Sequence, residues 1–298
     1  MSSDVGPVKE MAYHIIKNRG RRFRPALALL TAQALGGCSD AVIDAAVGVE
    51  IIQTASLIHD DVIDDAETRR GDEVLHIKWK NRASILMGDF LFAKSMQVLV
   101  GLNSIQVMRA TTHAIQRIVE GEILEGKAAS SGEDALYFSM ISKKTASLMS
   151  LACELGAILG HGTSEQISRM SSFGNEIGVA FQITDDVLDF IGDSKTLGKP
   201  TGNDVREKKM TLPLIRAFRN CENGESEHIR IKVLNGVKTE EDWQEVITFI
   251  QRYRGIESAQ EDAQAYAKSA LESLDILQTS DARDALTLAV QHIVERDQ

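Results

Sequence analysis

Two short acidic motifs carry the chemistry that this sequence could support. Asp60–Asp64 (DDVID) and Asp185–Asp189 (DDVLD) share the pattern DDxxD, and each comes at the end of an apolar run. At average residue frequencies, one such pattern arises by chance about 0.06 times in a chain of this length. On a helix, residues i and i+4 lie one above the other, so the first and last aspartates of each motif project from one face.

Carboxylates at this spacing repel each other and destabilise an isolated helix by about 0.2–0.5 kcal/mol per pair. Their hard oxygen atoms suit Mg²⁺, which typically takes one or two carboxylates together with substrate phosphates. A single motif could equally be a solvated acidic helix end. Two copies at the ends of apolar runs favour a metal site.

Arginines accompany both motifs along the chain. The segment RGRRFRP contains four of them, including Arg21 and Arg24, and Arg69 and Arg70 follow the first motif. Guanidinium groups bind phosphate oxygens in a bidentate manner. A basic run alone is usually a solvated surface, but arginines beside two metal-type motifs indicate a site for two anions.

The elements that must position these residues are helices. No proline lies between Pro25 and Pro200, and an interior proline would cost a helix about 3 kcal/mol. Strand-like alternation is nearly absent. Apolar residues recur at three- and four-residue spacing in Ala26–Leu35, Ala41–Ile58, Ala83–Val100, Met108–Leu124, Thr145–Leu159 and Ile167–Ile191.

These patterns predict an all-α fold, with residues 1–298 forming a single helical domain. Gly192–Lys209 is rich in glycine and charge, which is typical of a loop or lid. Asn220–Asp242 is polar with weak periodicity and is expected to hold a short peripheral helix.

The composition of the chain argues against some classes of function and indicates a location. The net charge of −10 argues against a nucleic-acid surface, which would need a basic face. Cys38, Cys153 and Cys221 match no zinc or disulfide spacing, so we expect a reducing, cytoplasmic location. No signal peptide is evident at the start, and no window of about 18 uncharged apolar residues occurs, so we expect no transmembrane segment.

Taken together, these motifs resemble those of the trans-type isoprenyl diphosphate synthases over nearly the whole chain. RGRRFRP is similar to the family's GGKRxRP segment, and SLIHDDVIDDAETRRG to its first aspartate-rich region. FQITDDVLDF is similar to its second aspartate-rich region. The remaining matches are MGDFLFA, SKKTASL and the lid-like LGKPTGNDVREKKMTLP.

The resemblance implies an all-α bundle around a deep central cavity, usually in a homodimer. The implied reaction is a Mg²⁺-dependent condensation of isopentenyl diphosphate with an allylic diphosphate in successive head-to-tail additions. The released pyrophosphate takes the proton in the family mechanism, so no protein base is required.

The resemblance also assigns roles by position. Metal binding falls to Asp60, Asp64 and Asp185. Holding metal-bound waters or orienting ligands falls to Asp61, Asp186 and Asp189. The allylic diphosphate would be bound by Arg69, Lys144, Lys199 and Lys209. The carbocation would be flanked by the Lys144 carbonyl, Thr145 and Gln182.

Isopentenyl diphosphate would be bound by Arg21, Arg24 and Arg70. Gln53 stands where the family usually has a histidine that contacts this substrate, so homoallylic affinity is expected to be lower. Glu125 replaces a glutamine that is frequent in the family.

The length of the product would depend on the side chains by which the helix that carries Asp60 lines the cavity. Ser56, Ala55, Ile52 and Gly48 precede this aspartate by four, five, eight and twelve positions and share or border its face. In the family, an aromatic residue at the fourth or fifth position stops elongation early, and here both residues are small. An open wall of about 18 Å predicts more than four isoprene units, in a product that could partition into a membrane. The alternative is that Ala55 and Ser56 allow close helix packing in a farnesyl or geranylgeranyl diphosphate synthase.

Three other functions compete with this interpretation. A terpene cyclase would normally lack the second DDxxD motif. A non-catalytic subunit of a heteromeric synthase typically loses aspartates or arginines, and both sets are present here. A helical metal-dependent phosphohydrolase would need more well-spaced histidines.

Overall fold

Helices make up nearly all of the regular structure in the computed structural model of the chain, which describes residues 3–17, 20–69, 71–191, 202–222 and 224–295. The first eight are α1 (Gly6–Lys17), α2 (Phe23–Ala34), α3 (Asp40–Ile63), α4 (Leu75–Val100), α5 (Ile105–Ser131), α6 (Asp134–Ile141), α7 (Ser147–Leu159) and α8 (Ser164–Ile191). The others are α9 (Asn203–Arg206), α10 (Leu212–Asn220), α11 (Glu225–Asn235), α12 (Glu240–Arg252), α13 (Gly255–Ser273) and α14 (Asp281–Glu295). A 3₁₀ turn, Leu274–Ile276, follows α13. The predicted all-α fold is confirmed.

Two expectations about irregular segments are tested by the structure only in part. Residues 192–201 of the predicted lid lie outside the described residues, and the rest of that segment contains the short helix α9. The polar segment from Asn220 to Asp242 contains α11, as expected, and also the beginning of α12.

The strands within the described residues form one small hairpin that sequence periodicity did not predict. Thr68–Arg69 (β1) and Asp72–Glu73 (β2) pair in antiparallel register, with Arg69 opposite Asp72. Gly71 in the connection has φ +83°, in the left-handed region that glycine adopts without a steric penalty. The hairpin follows directly on the first acidic motif and so keeps Arg69 beside it.

The core is apolar and lies between α2, α3, α5, α7 and α8. Its fully buried side chains include Leu27, Val49, Leu148 and Phe173. Helix α13 packs along α8, and α14 packs against α2. A second apolar cluster joins α8 to α6 and to the helices that follow the lid segment.

Two of the described helices, α3 and α4, are long and apolar enough to cross a membrane by length and composition alone. They pack along each other in the bundle. Core helices pass the same test, so the expectation of no transmembrane segment stays a prediction. Only 33% of the apolar window of α4 is buried, against 44% for α3, so α4 presents much apolar surface to the outside.

A π-helical turn, Ser142–Ala146, joins α6 to α7 and carries the SKKTA sequence. Such turns occur frequently at functional sites, because they displace side chains from the regular helical positions. The Ser142 carbonyl at its start also accepts hydrogen bonds from two side chains, the Arg117 guanidinium at 3.3 Å and the Ser147 hydroxyl at 3.1 Å.

Glycines on two neighbouring helices allow the backbone of this turn to approach closely. A Cβ atom on Gly121 of α5 would lie 2.3 Å from the Lys144 nitrogen. A Cβ atom on Gly178 of α8 would lie 2.5 Å from the Ala146 Cα. Both distances are too short for a real Cβ, so glycine at these two positions determines how deeply Lys144 and Thr145 enter the bundle.

We therefore expect Gly121→Ala to lower the free energy of unfolding by about 1–3 kcal/mol, because the new methyl group must displace backbone atoms. Gly126→Ala on the same helix is the matched control, since a Cβ atom there meets nothing within 4 Å. Replacing this helical glycine should stabilise the protein by about 0.5–1 kcal/mol. Urea unfolding of both variants measures the difference, and a Gly121→Ala protein as stable as the wild type would contradict the role given to this contact.

Candidate active site

One cavity of about 480 Å³ gathers most of the residues that the sequence singled out. It lies between α3, α5, the π-turn, α8 and the segment after α9. The predicted site residues that line it are Arg24, Gln53, Asp60, Asp64, Arg69, Lys144, Thr145, Gln182, Asp185, Asp186 and Lys209. Asp61 and Asp189 lie behind the lining, Arg21 is exposed outside it, and Arg70 and Lys199 lie outside the described residues.

The first acidic motif stands at the C-terminal end of α3. The helix ends at Ile63, and the Asp64 amide still donates to the Asp60 carbonyl at 2.8 Å, so both carboxylates keep the helical i, i+4 relation. Burial and the nearby charge of Glu122 raise the pKa of Asp60 to about 7, although Lys144 and Arg69 oppose the shift. The carboxylate therefore stands in an environment that favours an added cation.

Asp61 of the same motif serves the hairpin. Its Oδ1 atom accepts a hydrogen bond from Arg69 Nε at 2.6 Å, and the carboxyl group is almost fully buried. The ion pair fixes the direction of the Arg69 side chain, which lines the cavity. The expected role of Asp61 toward metal-bound water or ligands stays a prediction. In the structure the group that it orients is an arginine.

The second acidic motif belongs to a hydrogen-bonded chain of side chains. Thr145 Oγ1 donates to Gln182 Oε1 at 2.8 Å, and Gln182 Nε2 donates to Asp186 Oδ1 at 2.9 Å. The hydroxyl group of Tyr137 donates to Asp186 Oδ2 at 2.5 Å. Burial raises the pKa of Asp186 to about 7, and hydrogen bonds from Tyr137 and Gln182 counter that rise. The chain fixes the amide of Gln182 and the hydroxyl of Thr145 at the cavity wall.

Asp189, the last residue of the second motif, holds the segment that follows the lid. Its Oδ1 accepts from the Asn203 amide at 3.2 Å and its Oδ2 from the Asp204 amide at 3.0 Å. Its backbone carbonyl accepts from the Gly202 amide at 2.7 Å. Two orphan donors at the start of α9 are thereby satisfied. The structure thus gives Asp189 a positional role, and the expected role toward metal-bound water stays a prediction.

Lysines from two elements meet two glutamates of α5. Lys144 Nζ lies 2.9 Å from Glu122 Oε2 and makes a very short contact with Glu125 Oε2. Lys209 Nζ lies 3.6 Å from Glu125 Oε1 and 3.1 Å from Glu207 Oε2. Burial opposes the charge of Lys144, but the two glutamates outweigh it and raise its pKa. Both lysines are therefore cationic at neutral pH.

The charge of the described lining fits a divalent cation. Seven carboxylates and four cationic side chains line the cavity. The formal excess is thus three negative charges, and a diphosphate alone would be repelled unless metal ions accompanied it. Among the described residues no three Asp, Glu, His or Cys side chains form a ready-made metal cluster. The carboxylates fit ions that also bind phosphate oxygens, as Mg²⁺ typically does.

Three lining residues with ionisable side chains were not predicted from the sequence: Glu122, Tyr137 and Asp204. Glu122 could have been found, because Ile118, Glu122 and Glu125 share one face of α5, and two acids on an otherwise apolar face are a functional signal. Asp204 falls in a segment without periodicity. Tyr137 reads as an ordinary core residue in the sequence.

The expected open wall along α3 needs correction. At 100° per residue, Gln53, Ser56 and Val49 lie within about 40° of Asp60, whereas Ala55 and Gly48 lie about 120–140° away. Gln53 and Ser56 accordingly line the cavity. Ala55 is buried in a separate cluster with α1 and α4, and the space beside Gly48 is filled by Leu99. The part of α3 that lines the cavity therefore extends from Asp60 back to Gln53 and includes neither Ala55 nor Gly48.

The fold and the site together define an all-α isoprenyl diphosphate synthase. The profile of the polyprenyl synthetase family matches residues 6–250, which is most of the chain. The chain therefore belongs to this family of trans-type isoprenyl diphosphate synthases, and it is a prenyltransferase. The resemblance inferred from the motifs is confirmed.

Relatives with different products are similar over the full length. A short chain isoprenyl diphosphate synthase of Methanothermobacter thermautotrophicus is 37% identical, over 99% of this chain and 93% of the relative. Component 2 of the heptaprenyl diphosphate synthase of Geobacillus stearothermophilus is 35% identical, over 100% of this chain and 92% of the relative. Sequence similarity alone therefore does not decide the product length.

Two crystal structures share the fold. A decaprenyl diphosphate synthase from Rhodobacter capsulatus has a TM-score of 0.94 and 34% identity, over 100% of this chain and 93% of its own. A polyprenyl synthase from Caulobacter crescentus, complexed with calcium and isoprenyl diphosphate, has a TM-score of 0.92 and 32% identity, over 100% and 92%. The family uses a divalent metal, in agreement with the acidic cavity.

Removing the Asp189 carboxylate should release the start of α9. We expect Asp189→Ala to accelerate hydrogen exchange of the Asn203 and Asp204 amides about 5-fold, because losing a helix cap costs about 1 kcal/mol. Asp189→Asn keeps one acceptor oxygen and should give a smaller effect. Site-resolved hydrogen exchange measures both. If the Ala variant loses activity while these two amides exchange at the wild-type rate, the positional role is wrong.

Proposed function

We propose that this protein elongates an allylic diphosphate with isopentenyl diphosphate in a Mg²⁺-dependent reaction and releases an all-trans polyprenyl diphosphate of more than four isoprene units. The observation that carries the proposal is one cavity whose lining includes carboxylates from both DDxxD motifs together with the cations Arg69, Lys144 and Lys209. Both an anion and its compensating metal ions can be held there.

The two substrates would be bound by different residues of the cavity. Arg69, Lys144 and Lys209 would bind the diphosphate of the allylic substrate and stabilise it as it leaves. Arg24 and Gln53, which line the cavity, would bind isopentenyl diphosphate. Arg21 is exposed and would contribute to that site only after its side chain moved inward.

Asp60, Asp64 and Asp185 would hold Mg²⁺, which when bound neutralises the phosphate charges and stabilises the leaving pyrophosphate. The residues of this chain do the positioning. The Thr145 hydroxyl and the Gln182 amide oxygen lie 2.8 Å apart at the wall and present oxygen lone pairs near the cationic carbon. The double bond of isopentenyl diphosphate then attacks that carbon, and a proton leaves to the released pyrophosphate.

The long product is supported by the wall of α3. Ser56 lines the cavity where an aromatic side chain would close it; the residues that follow on that face are Gln53, which also lines the cavity, and Val49, which is aliphatic. Ile118 and Leu148 line the cavity from α5 and α7. The aromatic side chains of the described lining, Tyr137 and Phe181, come from α6 and α8, so α3, α5 and α7 place no ring in the path proposed for the growing chain.

We further propose that the protein is a homodimer. Leu86, Phe90, Ala93, Gln97 and Val100 follow the spacing of one face of α4, and most of this stripe is exposed. On the adjoining α5, Ile105, Val119 and Ile123 are exposed by 71%, 51% and 76%. Exposed apolar side chains in such number on two neighbouring helices favour an association site. One relative is component 2 of a heptaprenyl diphosphate synthase, so the alternative is that a different subunit covers this surface.

Product length is tested by a paired assay with Mg²⁺, farnesyl diphosphate and radiolabelled isopentenyl diphosphate. We expect the wild type to give products of more than four units and Ser56→Phe to stop at four, after a single addition, because the ring blocks the wall. Asp60→Ala should lower the rate by at least about 10²-fold, as expected for lost electrostatic stabilisation. Wild-type products that stop at four units would contradict the long-chain proposal while leaving the reaction class intact.

The oligomeric state is tested by analytical ultracentrifugation. We expect the wild type to sediment as a dimer and Leu86→Glu to sediment as a monomer, because a charge would be buried in the interface. Leu288→Glu is the matched control, since Leu288 on α14 is 63% exposed and Leu86 is 58% exposed. A monomeric wild type, or an Leu86→Glu variant that stays dimeric, would exclude this interface.

A further inference from the structure

Glu125 occupies a bridging position in the cavity. Its two carboxylate oxygens contact different lysines, Oε2 with Lys144 of the π-turn and Oε1 with Lys209 of the segment after α9. These elements are separated by more than 60 residues along the chain. The two lysines are also the ones that the proposed function assigns to the allylic diphosphate, together with Arg69.

The bridge is an ionic one. Burial would raise the pKa of Glu125, but the charges and hydrogen bonds of Lys144 and Lys209 outweigh burial and lower it. The pKa of Lys209 is correspondingly raised, chiefly by Glu125, against the effect of burial. One carboxylate thus offsets part of the charge of two ammonium groups inside a partly buried site, where such contacts are stronger than on the surface.

Each lysine also has a second acidic partner. Lys144 lies 2.9 Å from Glu122, and Lys209 lies 3.1 Å from Glu207. Both side chains would therefore stay tethered in the cavity without Glu125. The contribution that only Glu125 makes is to join the two ammonium groups through one anion, which is also what a diphosphate would do.

We propose that Glu125 is a built-in competitor of the allylic diphosphate, a carboxylate that occupies Lys144 and Lys209 before the substrate binds and thereby sets its affinity. The inference rests on the proposed assignment of these lysines to that substrate. Glu125 acts through the lysines, so it is a positioning and affinity-setting residue. The substrate, with its metal ions, must displace it from at least one ammonium group.

A matched pair of variants tests this role. Glu125→Gln keeps the shape of the side chain and removes the charge. Glu120→Gln is the control, because Glu120 forms an equivalent ion pair with Lys143, 2.7 Å apart, on the same helix outside the cavity lining. Binding of inorganic pyrophosphate in the presence of MgCl₂ is measured by calorimetry on the full chain, and KM is measured separately for farnesyl diphosphate and for isopentenyl diphosphate.

We expect Glu125→Gln to bind pyrophosphate about 3- to 10-fold more tightly than the wild type and to lower KM for farnesyl diphosphate by a similar factor. KM for isopentenyl diphosphate should not change, and Glu120→Gln should match the wild type throughout. Glu125→Ala should shift pyrophosphate binding in the same direction, which guards against an effect peculiar to glutamine.

Two results would overturn the inference, and they are distinguishable. If the wild type binds pyrophosphate with Mg²⁺ but Glu125→Gln and Glu125→Ala bind it equally or more weakly, Glu125 is not a competitor, and the proposed function stands. If the wild type itself does not bind pyrophosphate with Mg²⁺, the assignment of the lysines fails, and the inference fails with it.

Discussion

Repulsion among carboxylates that share one cavity is the constraint on which the rest of this structure depends. Two acidic motifs, on α3 and α8, face the same space, and α5 adds two glutamates. Burial raises the pKa of both Asp60 and Asp186 to about 7, which shows how unfavourable the bare charges are. Arg69, Lys144 and Lys209 compensate part of the charge within the described lining. The negative charge that remains suits divalent metal ions. The same excess of carboxylates therefore accounts for the raised pKa values and for a site that would bind a diphosphate together with metal.

Lys144 reaches the cavity because the backbone of its π-turn approaches two neighbouring helices unusually closely. The π-turn that carries Lys144 lies against Gly121 on one side and Gly178 on the other, at distances that no Cβ atom would permit. Close packing of this kind explains why glycine stands within two long helices, where it costs about 0.5–1 kcal/mol relative to alanine. The helix propensity lost at these glycines is offset by a turn that directs Lys144 and Thr145 into the cavity.

Some aspartates of the two motifs line the cavity, and others bind the irregular segments around it. Asp60, Asp64 and Asp185 line the cavity, whereas Asp61 holds the hairpin arginine and Asp189 accepts from two backbone amides at the start of α9. Loops carry functional residues only as precisely as a rigid scaffold fixes them. Here the helices fix these irregular segments through carboxylates of the DDxxD motifs themselves. Within five residues, each motif therefore supplies both metal-type carboxylates for the cavity and a carboxylate that holds a neighbouring loop or hairpin.

Much of this protein is determined by its sequence alone. Local patterns suffice for six of the helices (α2, α3, α4, α5, α7 and α8), since apolar spacing and the absence of proline are read within single segments, and two DDxxD motifs suffice for the acidic site. Tertiary structure decided what depends on distant segments: the π-turn between Gly121 and Gly178, and the bridge from Glu125 to two lysines. The side of α3 that faces the cavity did not need the tertiary structure, because at 100° per residue Ala55 already lies far from the Asp60 face; the structure shows what Ala55 packs against, namely α1 and α4. Contacts between remote residues arise only when the helices pack, and no spacing along one segment records them.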